Sequence, residues 1–261
     1  MTEIIYGIFW AVIYFLSLYF SYFYIFKKYK PIIISVDGNI GSGKSTLLNI
    51  LKDELKNNKN IIFLQEPVSE WLQISDGKTN ILNEFYNDKK RWSYTFQNLA
   101  FITRIKLLSD AVKNNITFPF NKRKVIITER STETDKHIFA KMLYDEKNIS
   151  DLEFKIYNYW YTNLNKNFIV NNIIYLRTTP IDAFNRIKKR SREEELDIPI
   201  SYIQNVHRYH DEWLVNESNN CNVCYLDGSE NFINIEKNKK KIVKSITVFI
   251  NSLESRFYLP T

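Results

Sequence analysis

Apolar positions past residue 31 fall into two kinds of stretch. Five short runs, Ile32–Asp37, Ile61–Gln65, Val125–Glu129, Ile173–Arg177 and Asn222–Leu226, are apolar and β-branched with little alternation. That is how strands covered on both faces read. Between them lie segments long enough for helices: Lys44–Asn57, Trp92–Lys113, Asp151–Phe168, Pro180–Arg192 and Pro199–Val215. Pro180 and Pro199 open their segments, where a first-turn proline is tolerated. Strand-then-helix alternation predicts an α/β fold, a five-stranded parallel sheet flanked by helices with right-handed crossovers. A lysine-rich terminal helix is expected over Glu230–Phe257. With no internal repeat and no low-complexity linker, 31–261 reads as one domain.

The first thirty residues break this pattern. From Ile4 to Phe26 there is no charged residue, and Lys27-Lys28-Tyr29-Lys30 follows. As a helix the stretch is about 34 Å long, enough for a hydrocarbon core of about 30 Å. It has no polar face, and eleven of its residues are aromatic. The expectation is an N-terminal transmembrane anchor over 1–30, with lysines on the cytosolic side and the catalytic domain in the cytosol. The alternative is a helix packed on the domain or on a second copy, in a soluble cytoplasmic protein. A signal peptide is disfavoured by Glu3 and the lack of Lys or Arg before the run.

Composition narrows the class without choosing a function. The chain has 261 residues, 44% hydrophobic and 25% charged, which suffices for a core and excludes a wholly disordered protein. Six Gly, six Pro and two Cys exclude collagen-like and disulfide-scaffold classes. The formal charge of +7 suits a polyanionic partner such as a nucleotide. No nucleic-acid-binding motif accompanies it, so no nucleic-acid partner is expected.

The strongest local signal is Gly38-Asn39-Ile40-Gly41-Ser42-Gly43-Lys44-Ser45, followed by Thr46. It matches the phosphate-loop pattern, directly after an apolar strand and at the start of a helical segment. Glycines let backbone N–H groups close around phosphates, and the helix N-terminus adds a favourable dipole. Lys44 then reaches the outer phosphates, and the Ser45 hydroxyl takes a position on Mg²⁺. The chain therefore binds a nucleoside triphosphate. It lacks the Asn-Lys-x-Asp motif of GTPases, and its third strand ends in Glu129 instead of the usual ATPase Asp. A P-loop kinase of a small acceptor fits better.

Further stretches lie in register with that loop: Glu66-Pro67-Val68-Ser69-Glu70-Trp71; Phe85-Tyr86 through Arg91-Trp92-Ser93-Tyr94-Thr95-Phe96-Gln97; Glu129-Arg130-Ser131; and Arg186 through Glu195 with Ile198-Pro199. In this order and spacing they resemble the deoxynucleoside kinase family, the deoxycytidine, deoxyguanosine and mitochondrial-type thymidine kinases of animals. The resemblance covers about residues 32 to 230. It implies a helix-packed homodimer and phosphoryl transfer from ATP, with Mg²⁺, to a deoxynucleoside 5′-hydroxyl in nucleotide salvage.

It also implies roles for individual residues. Glu66 becomes the general base that takes the 5′-hydroxyl proton. Glu129 stands near Mg²⁺, and Arg130 stabilises charge around the 5′-oxygen and the transferred phosphoryl. Arg186, Arg190 and Arg192 match lid arginines that close over the ATP phosphates. Glu195 and Tyr86 hold the sugar 3′-hydroxyl. Gln97 pairs with the base edge, between walls formed by Trp71, Phe96 and Phe139. Read singly, Glu66 could be a strand-end surface carboxylate, Glu129 and Arg130 a structural ion pair, and the lid a solvated basic helix face.

Base preference rests on Arg104 and Asp135. Arg104 follows Gln97 by seven residues, about two helical turns, so both can project from one face. The pair resembles the deoxycytidine and deoxyguanosine kinase branch; thymidine-preferring members carry apolar residues there. A thymine methyl would meet a buried charge pair, so deoxycytidine and purine deoxynucleosides are expected over thymidine. The competing reading is an ion pair bracing two helices. Departures from the pattern are Asp37, where several relatives have Glu or another residue, and Thr132-Glu133-Thr134, which puts an extra carboxylate near the expected pocket mouth.

Two other readings remain: a second enzymatic one, a nucleoside monophosphate kinase of thymidylate type, and one from another class, a catalytically inactive, membrane-anchored nucleotide-binding scaffold. Glu66-Pro67-Val68 with Gln97 argues against the first, and Lys44, Glu66, Arg130 and the lid arginines together argue against the second. Cys221-Asn222-Val223-Cys224 overlaps the fifth strand and has no second ligand pair, so it reads as strand packing. His207 and His210 read as ordinary helix histidines.

Overall fold

The computed structural model describes residues 2–116, 123–216 and 221–255, apart from the side chains of 2–4, 22–29 and 216. Five strands form one parallel sheet in the order β2-β3-β1-β4-β5: β1 Ile32–Asp37, β2 Ile61–Leu64, β3 Val125–Glu129, β4 Asn172–Arg177 and β5 Asn222–Asp227. The central strand β1 pairs with β3 through Ile34 and Ile127, and with β4 through Val36 and Ile174. The chain leaves β1 towards one side of the sheet and leaves β3 towards the other. A crevice therefore opens over the carboxyl end of β1, where such sheets bind ligands.

Helix α1 spans Thr2–Tyr29, ahead of the sheet. After β1 comes α2, Lys44–Glu54. The β2–β3 crossover carries α3 (Val68–Gln73), α4 (Ile81–Asn87) and α5 (Lys89–Asn114). After β3, the short α6 (Thr132–Thr134) runs into a π-helical turn over Asp135–Ala140, then α7 (Lys141–Asp145) and α8 (Asp151–Leu164). After β4 come α9 (Pro180–Arg190), a 3₁₀ turn over Glu193–Glu195, and α10 (Ile200–Asp211), extended by a π-helical turn over Glu212–Asn216. Last is α11, Glu236–Ser255; the expected helix residues Arg256 and Phe257 lie outside the described residues.

Both faces of the sheet are covered, which is why the strands show so little alternation. Ile32, Ile34 and Val36 pack with Ile127, Ile174 and Leu176 against Leu47 and Leu51 of α2 and Ile242 and Ile246 of α11. On the other face Ile33 and Ile126 meet Leu108 and Val112 of α5, and Ile173 and Tyr175 meet Ile187 of α9 and Ile203 and Val206 of α10. Cys221 packs on the α9–α10 face and Cys224 on the α2–α11 face, and both are free thiols.

Helix ends differ from the spacing where local chemistry intervenes. Helix α5 begins at Lys89 because the Asp88 carboxylate accepts from Arg91 N–H at 3.0 Å. Helix α9 stops at Arg190, where Ser191 turns left-handed at φ 55°. The short helices α3 and α4 have too few turns to print a period.

The membrane-spanning expectation is corrected. Among the described residues no helix is long and apolar enough to cross a membrane. Along the uncharged run of α1 the polar ring atoms of Tyr6, Trp10, Tyr14 and Tyr19 and the hydroxyls of Ser17 and Ser21 lower the mean hydropathy, and all but Tyr19 fall on one side of the helix.

Candidate active site

Three strand ends converge on one cavity of about 800 Å³. The loop after β1 supplies its phosphate-binding wall. Gly41 sits at φ 74°, and a Cβ there would lie 2.3 Å from the carbonyl oxygen of Ala183, so the tight approach to α9 admits only glycine. Gly43, also left-handed, caps α2 and aims its N-terminus into the cavity. Ile40, Gly41, Gly43, Lys44, Ser45 and Thr46 line the space. Gly38, Asn39 and Ser42 do not; they lie behind it, where Asn39 Nδ2 donates to Ile203 O at 2.8 Å and fastens the loop to α10.

Lys44 is buried and its Nζ donates to Asn39 O at 2.7 Å. Burial, then the nearby Arg130 guanidinium, push its pKa down to about 7. Beside it, Ser45 Oγ donates to Glu129 Oε1 at 2.6 Å. These are hard oxygen donors at the mouth of the phosphate loop, a set suited to Mg²⁺.

Glu66 follows β2, and Arg104 of α5 reaches it across the sheet end. Arg104 Nη2 donates to Glu66 Oε1 at 2.9 Å, Nε to Asp135 Oδ2 at 2.8 Å, and Nη1 to the Glu129 carbonyl at 3.1 Å. Arg130 Nε lies 3.5 Å from the same Glu66 oxygen. Burial alone would raise Glu66, but Arg104, Arg130 and Lys44 outweigh it and hold the carboxyl below its usual range. The contact between Arg104 and Glu66 joins residues 38 apart, and no local pattern announced it.

Arg130 and Asp135 reach the cavity through unusual backbone. Arg130 is left-handed at φ 62°, its N–H donating to Val36 O at 3.0 Å. The π-helical turn that follows brings Asp135 and Phe139 onto the cavity wall, and the Arg130 guanidinium lies 4.9 Å from the Phe139 ring centre. Trp71 and Phe96 meet edge to face at 5.3 Å, and Phe85 stacks on Phe96 at 4.7 Å. Gln97, on the same cavity wall, is buried with its Oε1 unpartnered, and Arg130 Nη1 is likewise unpartnered. Buried polar atoms facing a cavity without partners fit a polar ligand.

The lid segment forms the remaining wall. Arg186 Nη1 donates to Ser42 O at 3.0 Å. Arg190 and Arg192 both pair with Glu195, Arg192 Nη1 at 2.7 Å from Oε1. Tyr86 lines the same end of the cavity. Sequence reasoning missed Tyr202 of α10, which lines the cavity with its hydroxyl unpartnered, and the Glu230–Asn234 segment, which flanks the phosphate loop with Phe232 near Gly43. A Gly-Ser turn at Gly228-Ser229 after β5 was the available signal. Glu133 is not at the mouth: it is buried outside the cavity, accepting from Tyr161 Oη and from Asn165 Nδ2 at 2.7 Å.

Fold and site together define a nucleotide-dependent phosphotransferase. The family model for deoxynucleoside kinase matches residues 34–251. The chain is 38% identical to a probable deoxycytidine kinase of fowlpox virus over 227 residues, 84% of this chain and 88% of that protein. It is 31% identical to the human deoxycytidine kinase over 246 residues (84% and 91%), and 30% identical to a mitochondrial deoxyguanosine kinase of Xenopus laevis over 243 (84% and 90%). The chain belongs to the deoxynucleoside kinase family: it is an enzyme that phosphorylates deoxynucleosides for salvage with ATP as donor.

Proposed function

We propose that the enzyme prefers deoxycytidine and purine deoxynucleosides over thymidine. The observation that carries this is the buried Arg104–Asp135 pair on the cavity wall beside Gln97. A carboxylate held there accepts from an exocyclic amino group, whereas a thymine methyl would press on desolvated charge. The names of the viral and vertebrate relatives support the same reading.

Each residue then has a task the geometry supports. Gln97 Oε1 and Nε2 read the base edge between Phe96, Trp71 and Phe139. Tyr86 and Glu195 hold the 3′-hydroxyl. Glu66, ionised by its cationic neighbours, takes the 5′-hydroxyl proton as attack on the γ-phosphorus begins. Arg130 meets the charge that develops there, while Lys44 and the lid arginines bind the phosphate oxygens. Ser45 and Glu129 would hold Mg²⁺, which supplies neutralisation of β- and γ-phosphate charge.

The resemblance also implies a homodimer, and an exposed apolar stripe on α8 supports it. Leu152, Ile156, Tyr159 and Trp160 share one side of that helix, opposite the inward Phe154, Tyr157 and Tyr161. Ile102 of the adjacent α5 is exposed as well.

The decisive experiment gives the full chain ATP, Mg²⁺ and each of deoxycytidine, deoxyadenosine, deoxyguanosine and thymidine, beside Glu66→Gln. Faster turnover of the first three, with kcat lowered about 10²- to 10⁴-fold in the variant, supports the reading. Thymidine as best substrate overturns the preference, and an unimpaired variant overturns the base.

A further inference from the structure

The carboxylate of Asp37 stands at the end of β1, one residue before the phosphate loop, and is fully buried. It does not itself line the cavity, and the phosphoryl-transfer scheme gives it no task. Both of its oxygens are nevertheless engaged. Ser35 Oγ donates to Oδ2 at 2.5 Å, and the hydroxyl of Thr134 donates to Oδ1.

Thr134 belongs to the turn that follows Arg130. Its Oγ1 accepts from Ser131 N–H at 3.2 Å, and Ser131 Oγ in return accepts from Thr134 N–H at 3.3 Å. This reciprocal cap closes the first turn after the strand. Arg130 lies immediately before it in a left-handed conformation that a non-glycine residue adopts only when its surroundings demand it. The surroundings here are Val36 and Asp37. Val36 O takes the Arg130 N–H at 3.0 Å, and Asp37 takes the hydroxyl that caps the turn. Two consecutive residues of β1 therefore grip the Arg130 turn from both sides. The same strand end feeds directly into the phosphate loop.

We propose that Asp37, acting through Thr134, is a positioning pair that holds Arg130 in the conformation that aims its guanidinium at the transferred phosphoryl group. The proposal rests on the role given to Arg130 above. Burial raises the Asp37 carboxyl, and the hydroxyls of Ser35 and Thr134, followed by the charges of Arg130 and Lys44, offset only part of that rise. A guanidinium that must meet charge only in the transition state gains from a fixed turn, because a shift of about 1 Å there can cost about 10²-fold in rate.

Thr134→Val removes the hydroxyl at nearly constant volume and leaves every cavity residue in place, and Thr134→Ser restores the hydroxyl alone. With the full chain, ATP–Mg²⁺ and the best nucleoside of the panel, Thr134→Val is expected to lower kcat at least 10-fold. ATP Kd and nucleoside KM should stay within about 2-fold, and Thr134→Ser should recover most of the rate. In an Arg130→Ala background the further loss from Thr134→Val should vanish, since there is then no guanidinium to aim. Unchanged kcat in Thr134→Val overturns the proposal. So does a loss of equal size with and without Arg130, or weakened ATP binding in Thr134→Val, which would mark a general packing role. If wild type is active and Arg130→Ala is too, it is the assigned role of Arg130 that fails.

Discussion

At Arg104 one guanidinium serves two carboxylates of different purpose. In the proposed scheme its contact with Asp135 shapes the base pocket, while its contact with Glu66 keeps the general base ionised. Specificity and chemistry are thus coupled through one side chain. Arg104→Met alone leaves Asp135 buried without its partner, at a cost of about 3–5 kcal/mol in stability. Arg104→Met with Asp135→Ala removes both charges and should be more stable than the single variant. The double variant frees space for a methyl group, so the thymidine-to-deoxycytidine ratio of kcat/KM is expected to rise at least 10-fold, with kcat lowered for both because Glu66 has lost its main counter-charge. Melting curves and a two-substrate assay check this; an unchanged ratio would show that the pair braces helices and reads nothing. The motif residues of this site were readable because a phosphate loop or a strand-end Glu-Arg-Ser is local. The double duty of Arg104 was not, since its partners come from β2, β3 and the π-helical turn.

Helix α8 shows how one element divides its faces. Tyr157 and Tyr161 point inward against Phe101 of α5, their ring centres 5.9 and 6.1 Å from its own. Trp160 is 42% and Leu152 69% exposed on the other side. Burying an apolar stripe of this kind against its copy yields about 25 cal/mol per Å², and a two-fold axis repeats every contact. Trp160→Glu places a charge at that face and is expected to shift the sedimenting species from dimer to monomer, with the sheet intact by circular dichroism. A wild type that sediments as a monomer at micromolar concentration overturns the assignment. Element existence was readable throughout the sheet, whose five strands lie within one residue of the runs that predicted them. Short helices escaped because six or seven residues carry less than two turns of pattern, and α1 was misjudged because an uncharged run was taken for a spanning one.

Across the whole molecule, the cations of the site are felt in the core. His210 of α10 is completely buried, stacks on Tyr175 of β4 at 5.8 Å, and has Nδ1 2.7 Å from Val206 O. Nδ1 therefore carries the proton, and Nε2 faces the interior without a partner. Burial, followed by repulsion from Arg130, pushes its pKa down to about 3. The unfolded chain takes up that proton near the ordinary value of about 6.5. Between these values the unfolded state holds more protons than the folded one, so stability falls as pH falls. His137, stacked on Trp213 and pushed down to about 4 chiefly by burial, acts in the same direction. Carboxylates whose values differ on folding add their own slopes, which cancel when wild type is compared with a variant lacking only His210. His210→Phe keeps the ring stack and removes the titration. Urea unfolding at pH 7.5 and 5.5 should show wild type losing about 1 kcal/mol more than His210→Phe over that interval. Equal losses in the two proteins would mean that His210 is protonated within the fold, and that the reach of the site's positive charge ends at the cavity wall.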